Sequence, residues 1–221
     1  MSRRRLPRRF PLLLTAALAA AALLAGGPEA RAQLGDPADR DREIGARTVI
    51  GAPHAQACVN AVAGGDSSDQ ALDQCTRAVE RERLSRPTRI AILVNRGAMH
   101  LRRREGQAAL DDFDTVIRLD RRHAEAHLNR GAALVMLQQP GPAVAAITEA
   151  LGLGVAEPHK AYFNRGAARE ALGDVRGAYE DYSTALEIQP DWGPANEELA
   201  RFARGRREHL AEVLNEDTAT P

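Results

Sequence analysis

Lysine is almost missing from this sequence. Lys160 stands alone against 29 arginines in 221 residues, and aromatic side chains make up only 4%. An arginine excess can mark a polyanion-binding surface, but basic and acidic residues balance here at 30 each. Six of the basic residues and one of the acidic residues lie in 1–32, so loss of that segment leaves a net charge of −5. A mildly acidic chain binds polyanions poorly, which excludes nucleic acid as the expected partner. The skew instead reads as the codon usage of a GC-rich genome. Long apolar runs are also lacking: Leu12 to Ala25, at 14 residues, falls short of the roughly 20 that span a bilayer. There are two cysteines and no C-x-x-C, and no G-x-S-x-G, P-loop or dinucleotide fingerprint occurs. What is present, 44% apolar and 27% charged residues, suits one soluble domain or a short array of repeats.

The N-terminus reads as an address. Arg3, Arg4, Arg5, Arg8 and Arg9 precede the apolar run, and Gly26, Gly27, Pro28 and Ala30-Arg31-Ala32 follow it. A basic start, short apolar centre and A-x-A exit predict a secretory signal peptide over 1–32, cut after Ala32. An uncleaved anchor is the alternative, and no cysteine stands at the cut to accept lipid. Ser2-Arg3-Arg4-Arg5-Leu6 matches the twin-arginine motif only in part, since Pro7 follows, so the export route stays open. The mature chain is expected in the periplasm or otherwise exported, with no stable membrane span. In an oxidising compartment Cys58 and Cys75 are expected to pair, and a ring of about 15 residues contributes about 3 kcal/mol. Two buried free thiols are the alternative.

Asn95-Arg96-Gly97, Asn129-Arg130-Gly131 and Asn164-Arg165-Gly166 recur at spacings of 34 and 35 residues. Twelve residues after each glycine stands Ala109, Ala143 or Ala178, and seven further on Val116, Ala150 or Ala185. Between them lie the bulky Phe113, Ile147 and Tyr182. Small residues facing each other on two antiparallel helices let the backbones approach, while the bulky one fills the gap beside them. The period selects stacked helix-turn-helix units.

These positions resemble the tetratricopeptide repeat family. Residues 159–192 match it best, through Tyr162, Gly166, Leu172-Gly173-Asp174, Ala178, Tyr182, Ala185 and Pro190. Residues 90–123 have Arg121 at the closing proline, and 124–158 have Val155 there, an unusual turn at Gln138 to Pro142, and one inserted residue near Glu157-Pro158. In the same frame Ala71, Cys75 and Ala78 take the small, bulky and small places of a degenerate pair over 53–89. Cys58 falls one residue before the first-helix small place, facing Cys75. The resemblance implies an all-α, right-handed α-solenoid of about three helix pairs in 90–192. A flexible lead over 33–52 and the degenerate pair precede them. Residues 193–221 follow as a capping helix and tail, with Leu199, Phe202, Leu210 and Val213 on the helix's apolar side.

The family is typically a binding scaffold whose first helices line a concave groove. Carried over by position, the groove would hold Val94, Ala98 and Leu101, then Leu128, Ala132 and Val135, then Phe163, Ala167 and Glu170. Members that grip charged chaperone tails use a lysine and asparagine clamp, and Val94, Ala98 and Ala132 stand at the equivalent places here. Asn95, Asn129 and Asn164 run beside this apolar floor and can serve an extended peptide backbone as donor and acceptor. Alternatively each Asn bonds a neighbouring unit and each Arg pairs locally, Arg96 with Asp112 and Arg165 with Asp181. Ala146 replaces the acid in the second unit, so Arg130 lacks that partner and is the most available of the three. The alternative is a floor covered by the C-terminal helix or a second copy, so a homo-oligomer is open.

No catalytic constellation is expected. His123 and His127 stand four apart but do not form H-E-x-x-H, and His127 occupies the packing place of Leu93 and Tyr162, so neither a metal nor a cofactor is implied. The expected function is a non-catalytic scaffold or adaptor holding a protein or peptide in the cell envelope. The alternative is an accessory or assembly subunit docking by convex or edge surfaces.

Overall fold

The computed structural model describes residues 52–218, and the side chains of 52–205 within them. The signal segment 1–32, the lead 33–51, the last three residues, and the Leu210 and Val213 side chains therefore lie outside the described part. The described residues form helices alone: α1 (Pro53–Ala63), α2 (Asp69–Arg81), α3 (Arg86–Arg102), α4 (Gly106–Leu119), α5 (Ala124–Met136), α6 (Pro140–Leu153), α7 (Pro158–Ala171), α8 (Val175–Ile188) and α9 (Gly193–Thr218).

Local chemistry sets the helix starts. The Ser68 and Ser85 hydroxyls accept from the amides of Ala71 and Thr88, and the Asp174 carboxylate accepts from Gly177. Prolines occupy the first turns of α1, α3, α6 and α7, where no backbone donor is needed. α1 lacks a cap of its own; the amides of His54 and Ala55 donate to the Glu82 carboxylate beyond α2, at 2.8 and 3.1 Å.

The helices pair as α1–α2, α3–α4, α5–α6 and α7–α8, and each pair packs on the next. First helices also touch one another, α1 on α3, α3 on α5 and α5 on α7, whereas neighbouring second helices make no comparable approach. The stack therefore curves with its first helices inside. This is an all-α helical repeat.

The recurring glycines allow the tight pairing. A Cβ on Gly97 would come within 2.8 Å of the Phe113 ring, one on Gly166 within 2.8 Å of Tyr182, and one on Gly131 would collide with Ile147. Phe113, Ile147 and Tyr182 are fully buried against these bare backbones. In the first pair, Cys58 and Cys75 form a disulfide with Cα atoms 4.8 Å apart. Its sulfurs are buried against α3, Cys75 Sγ lying 3.5 Å from Met99 Sδ.

The turns between paired helices repeat one backbone shape. Arg104, Gln138 and Gly173, each the fifteenth residue of its unit, are left-handed at φ 62°, 57° and 81°. Only the last is a glycine, the residue that adopts this region without a Cβ penalty.

α9 packs on α8 in the place of the first helix of a further unit. Ala195 is as fully buried there as Ala126 and Ala161 at the same place in α5 and α7. Trp192, Leu199 and Phe202 pack with Phe163 and Tyr182 to close that end.

Candidate functional site

The inner layer of first helices brings the candidate residues into one row. α3 supplies Val94 and Asn95, α5 supplies Asn129 and Val135, and α7 supplies Asn164, all half-buried. Leu128 is 8% exposed and lies among Ala124, Ile147 and Ala161. Phe163 is 1% exposed, its ring centroid 5.2 Å from Tyr182 and 5.0 Å from Trp192. It belongs to the seam with α9 and offers little surface to a ligand. Ala98 is half-buried, while Leu101, Ala132 and Ala167 are buried, Leu101 and Ala132 within the core between the units. The Asn95, Asn129 and Asn164 side chains hydrogen-bond to no other described residue.

The row ends in a polar junction. Arg201 of α9 donates to both Glu170 oxygens at 2.7 Å and to Glu198 at 2.7 Å, and the Tyr182 hydroxyl donates to Glu170 at 3.2 Å. Burial first, then the neighbouring Glu170 and Glu198 charges, pushes the Tyr182 phenol well above its ordinary value. It stays a donor at any ordinary pH. Glu170 is thus engaged by the terminal helix.

Arginines lock the units from behind. Arg96 meets Asp112 through two bonds of 2.9 and 2.6 Å, and Arg165 meets Asp181 through two of 3.0 and 2.7 Å. Bonding to these carboxylates raises both guanidinium pKa values further, against the opposing effect of burial. Arg169 also reaches Asp181 at 3.0 Å. The expectation that Arg130 is the most available of the three is overturned: its Nε donates to Asp114 of the preceding unit at 2.6 Å. Asp114 occupies the place of Thr76 and Thr148, which accept from Arg96 and Arg165 at 3.3 Å each. Every arginine of the triplet therefore reaches back to the same place in the pair before it. The second unit has lost its own acid, Ala146, and the first supplies one instead. Comparing like positions between units hides this partner, because it stands at a different place in the repeat.

The two histidines have structural duties. His123 Nδ1 accepts from the Ala126 amide at 3.2 Å and caps α5, and His127 Nε2 lies 3.0 Å from the Arg121 carbonyl, to which it donates. Among the described residues no group of three or more His, Cys, Asp or Glu side chains is placed to hold a metal ion. No described helix is long and apolar enough to cross a membrane.

A stack of antiparallel helix pairs with a small-residue seam in each pair and an inner face of first helices defines a helical-repeat protein. The family model described as Tetratricopeptide repeat matches residues 159–192, the third of the units traced above. Residues 159–192 are thus a tetratricopeptide repeat, and the helix pairs before them stack in the same pattern. The chain is similar to the first such domain of Spaghetti (RPAP3) bound to HSP90 peptide SRMEEVD, at 26% identity and TM-score 0.50, over 53% of this chain and 93% of that one. The Arabidopsis OM64 domain matches at 24% identity and TM-score 0.52, over 55% and 99%. MamA from Desulfovibrio magneticus matches more of the length, 76% and 98%, at 19% identity and TM-score 0.57. The latter two likenesses concern the fold. Comparison with curated proteins finds no match.

Proposed function

We propose that this chain is a non-catalytic scaffold of the cell envelope that holds a protein or peptide segment along the inner face of its first helices. The observation that carries this reading is the row of Asn95, Asn129 and Asn164, whose side chains have no partner among the described residues. Half-exposed amides at regular intervals along an apolar face suit an extended chain, which offers a backbone donor and acceptor to each and places alternate side chains on that face. The RPAP3 domain, bound to an acidic HSP90 peptide, lends support at the level of peptide capture. Val94, Ala98 and Ala132 bring no cation to the inner face, so the expected ligand is an apolar segment rather than an acidic tail. The basic-apolar-small N-terminus and the disulfide support placement in an oxidising compartment outside the cytoplasm.

A second reading, an accessory subunit docking by its edge, is favoured by one feature. Leu172, Val175 and Tyr179 are 54%, 55% and 51% exposed on the third unit. A photo-crosslinker placed in turn at Val94, Val135 and Val175, in the native envelope, separates the two. The scaffold reading expects one discrete partner captured from positions 94 and 135. Capture from position 175 alone refutes it and supports the second.

A further inference from the structure

The terminal pair α1–α2 is built unlike the others. Every buried side chain of these two helices is an alanine or a cysteine: Ala55 and Cys58 on α1, Ala71, Cys75 and Ala78 on α2. Where the later units seat Phe113, Ile147 or Tyr182 on a glycine, this one has Cys75 bonded to Cys58. A covalent link thus replaces the large apolar contact that holds the other pairs together. The large fully buried side chains at this end, Ile92 and Met99, belong to α3, and Val62, Leu72, Val79 and Leu84 pack partly buried around the same cluster. Among the described helices, α1 packs on α2 and α3. The remaining ties are the packing of Val79 against the Leu93 cluster and five polar contacts: Arg96 to Thr76, Arg89 to the Val79 carbonyl at 3.0 Å, Arg103 to Asp69 at 2.7 Å and to the Ser67 carbonyl at 3.1 Å, and Arg102 to the Ser67 hydroxyl at 3.1 Å.

We propose that the Cys58–Cys75 bond is a redox latch on the N-terminal end of the solenoid: reduction by a dithiol releases α1–α2 and uncovers the Ile92 and Met99 face of α3, while the units behind stay folded. One thiolate of the dithiol attacks one protein sulfur, forming a mixed disulfide and expelling the other cysteine as a thiolate. The second thiol of the reagent then closes its own disulfide and expels the second cysteine. Two electrons pass to the protein, the reagent is oxidised, and the two cysteines finish as thiols with two protons. Both sulfurs are fully buried, so the exchange proceeds from the transiently opened pair and then leaves the opened form without its constraint. The later units keep their own locks, Gly131 with Ile147 and Gly166 with Tyr182, and their arginine clasps, Arg130 to Asp114 of the unit before and Arg165 to Asp181.

Hydrogen exchange read by mass spectrometry on the whole chain, before and after dithiothreitol, tests this, with the thiols counted in denaturant. Once two thiols titrate, amides of α1 and α2 are expected to exchange roughly 100-fold faster, the loop-closure factor for a ring of this size. Amides of α5 to α8 should be unchanged, and reoxidation should restore protection. Continued protection of α1–α2 with both thiols free overturns the proposal, and so does loss of protection throughout α5 to α8. The double variant C58A/C75A should be open at α1–α2 with or without dithiol; protection there would also refute the latch. If that variant does not fold, the reduction experiment on the native chain decides.

Discussion

Glycine at positions 104 and 138 should stabilise the protein. Arg104 and Gln138 hold φ 62° and 57° in turns where the third unit places Gly173. Left-handed backbone costs a residue with a Cβ about 1–2 kcal/mol. Glycine removes that cost but loses more freedom on folding, about 0.5–1 kcal/mol relative to alanine. The balance is a gain of about 0.5–1 kcal/mol for R104G and again for Q138G. Nothing is set against it from the side chains, because both are exposed and neither hydrogen-bonds another described residue. The reverse change isolates the backbone effect: a Cβ on Gly173 meets no atom within 4 Å, so G173A loses about 1 kcal/mol through φ alone. Urea titrations followed by circular dichroism at 222 nm measure all three. With a slope of about 1–3 kcal/mol per molar, each kcal/mol moves the midpoint by roughly 0.3–1 M. The glycine variants should move it up and G173A down. A lower midpoint for R104G and Q138G together with a neutral G173A would refute the left-handed turn as the shared source of strain.

Three other outcomes follow from contacts described above. G166A drives a methyl to 2.8 Å from the Tyr182 ring and 3.2 Å from the Ala178 carbonyl, and should cost about 1–3 kcal/mol in the same titration. D181A strands Arg165 and Arg169 against a site whose acid is 3% exposed, and should cost about 3 kcal/mol; D114A breaks a pair exposed by 31% and 35% and should cost about 0–1 kcal/mol. Equal losses for the two would show that burial does not set the strength of the clasp. Replacing Asn95, Asn129 and Asn164 together by alanine should leave the unfolding free energy within about 0.5 kcal/mol of the parent, while crosslinking from Val94 and Val135 falls; a large loss of stability would mean that the asparagines bond within the fold.

Much of the architecture is legible in the order of residues, because the repeated triplet carries a packing requirement. Gly97, Gly131 and Gly166 must be bare for the bulky side chain sixteen residues later, and that spacing identifies the pairing without coordinates. The Arg96–Asp112 and Arg165–Asp181 pairs are readable for the same reason. Arg130 is misread because like-for-like comparison sees Ala146 as a loss, whereas Asp114 belongs to a different place in the unit before. The left-handed turns at Arg104 and Gln138 are silent because neither residue announces a positive φ. At the candidate face, the positions of Val94, Asn95, Asn129 and Val135 follow from the frame. The depth of Phe163 does not: it depends on Trp192 and α9 folding back over the third unit, a contact set by the chain after the last repeat.

The way each arginine reaches backwards makes the order of the units matter. Excising 90–123 would set Arg130 against Thr76 on one side and Ala146 on the other, a guanidinium that has lost its carboxylate clasp. Excising 124–158 would give Arg165 both Asp114 and its own Asp181. The modules look interchangeable by shape, yet their charges form a sentence with a fixed word order, and only the middle clause cannot open it.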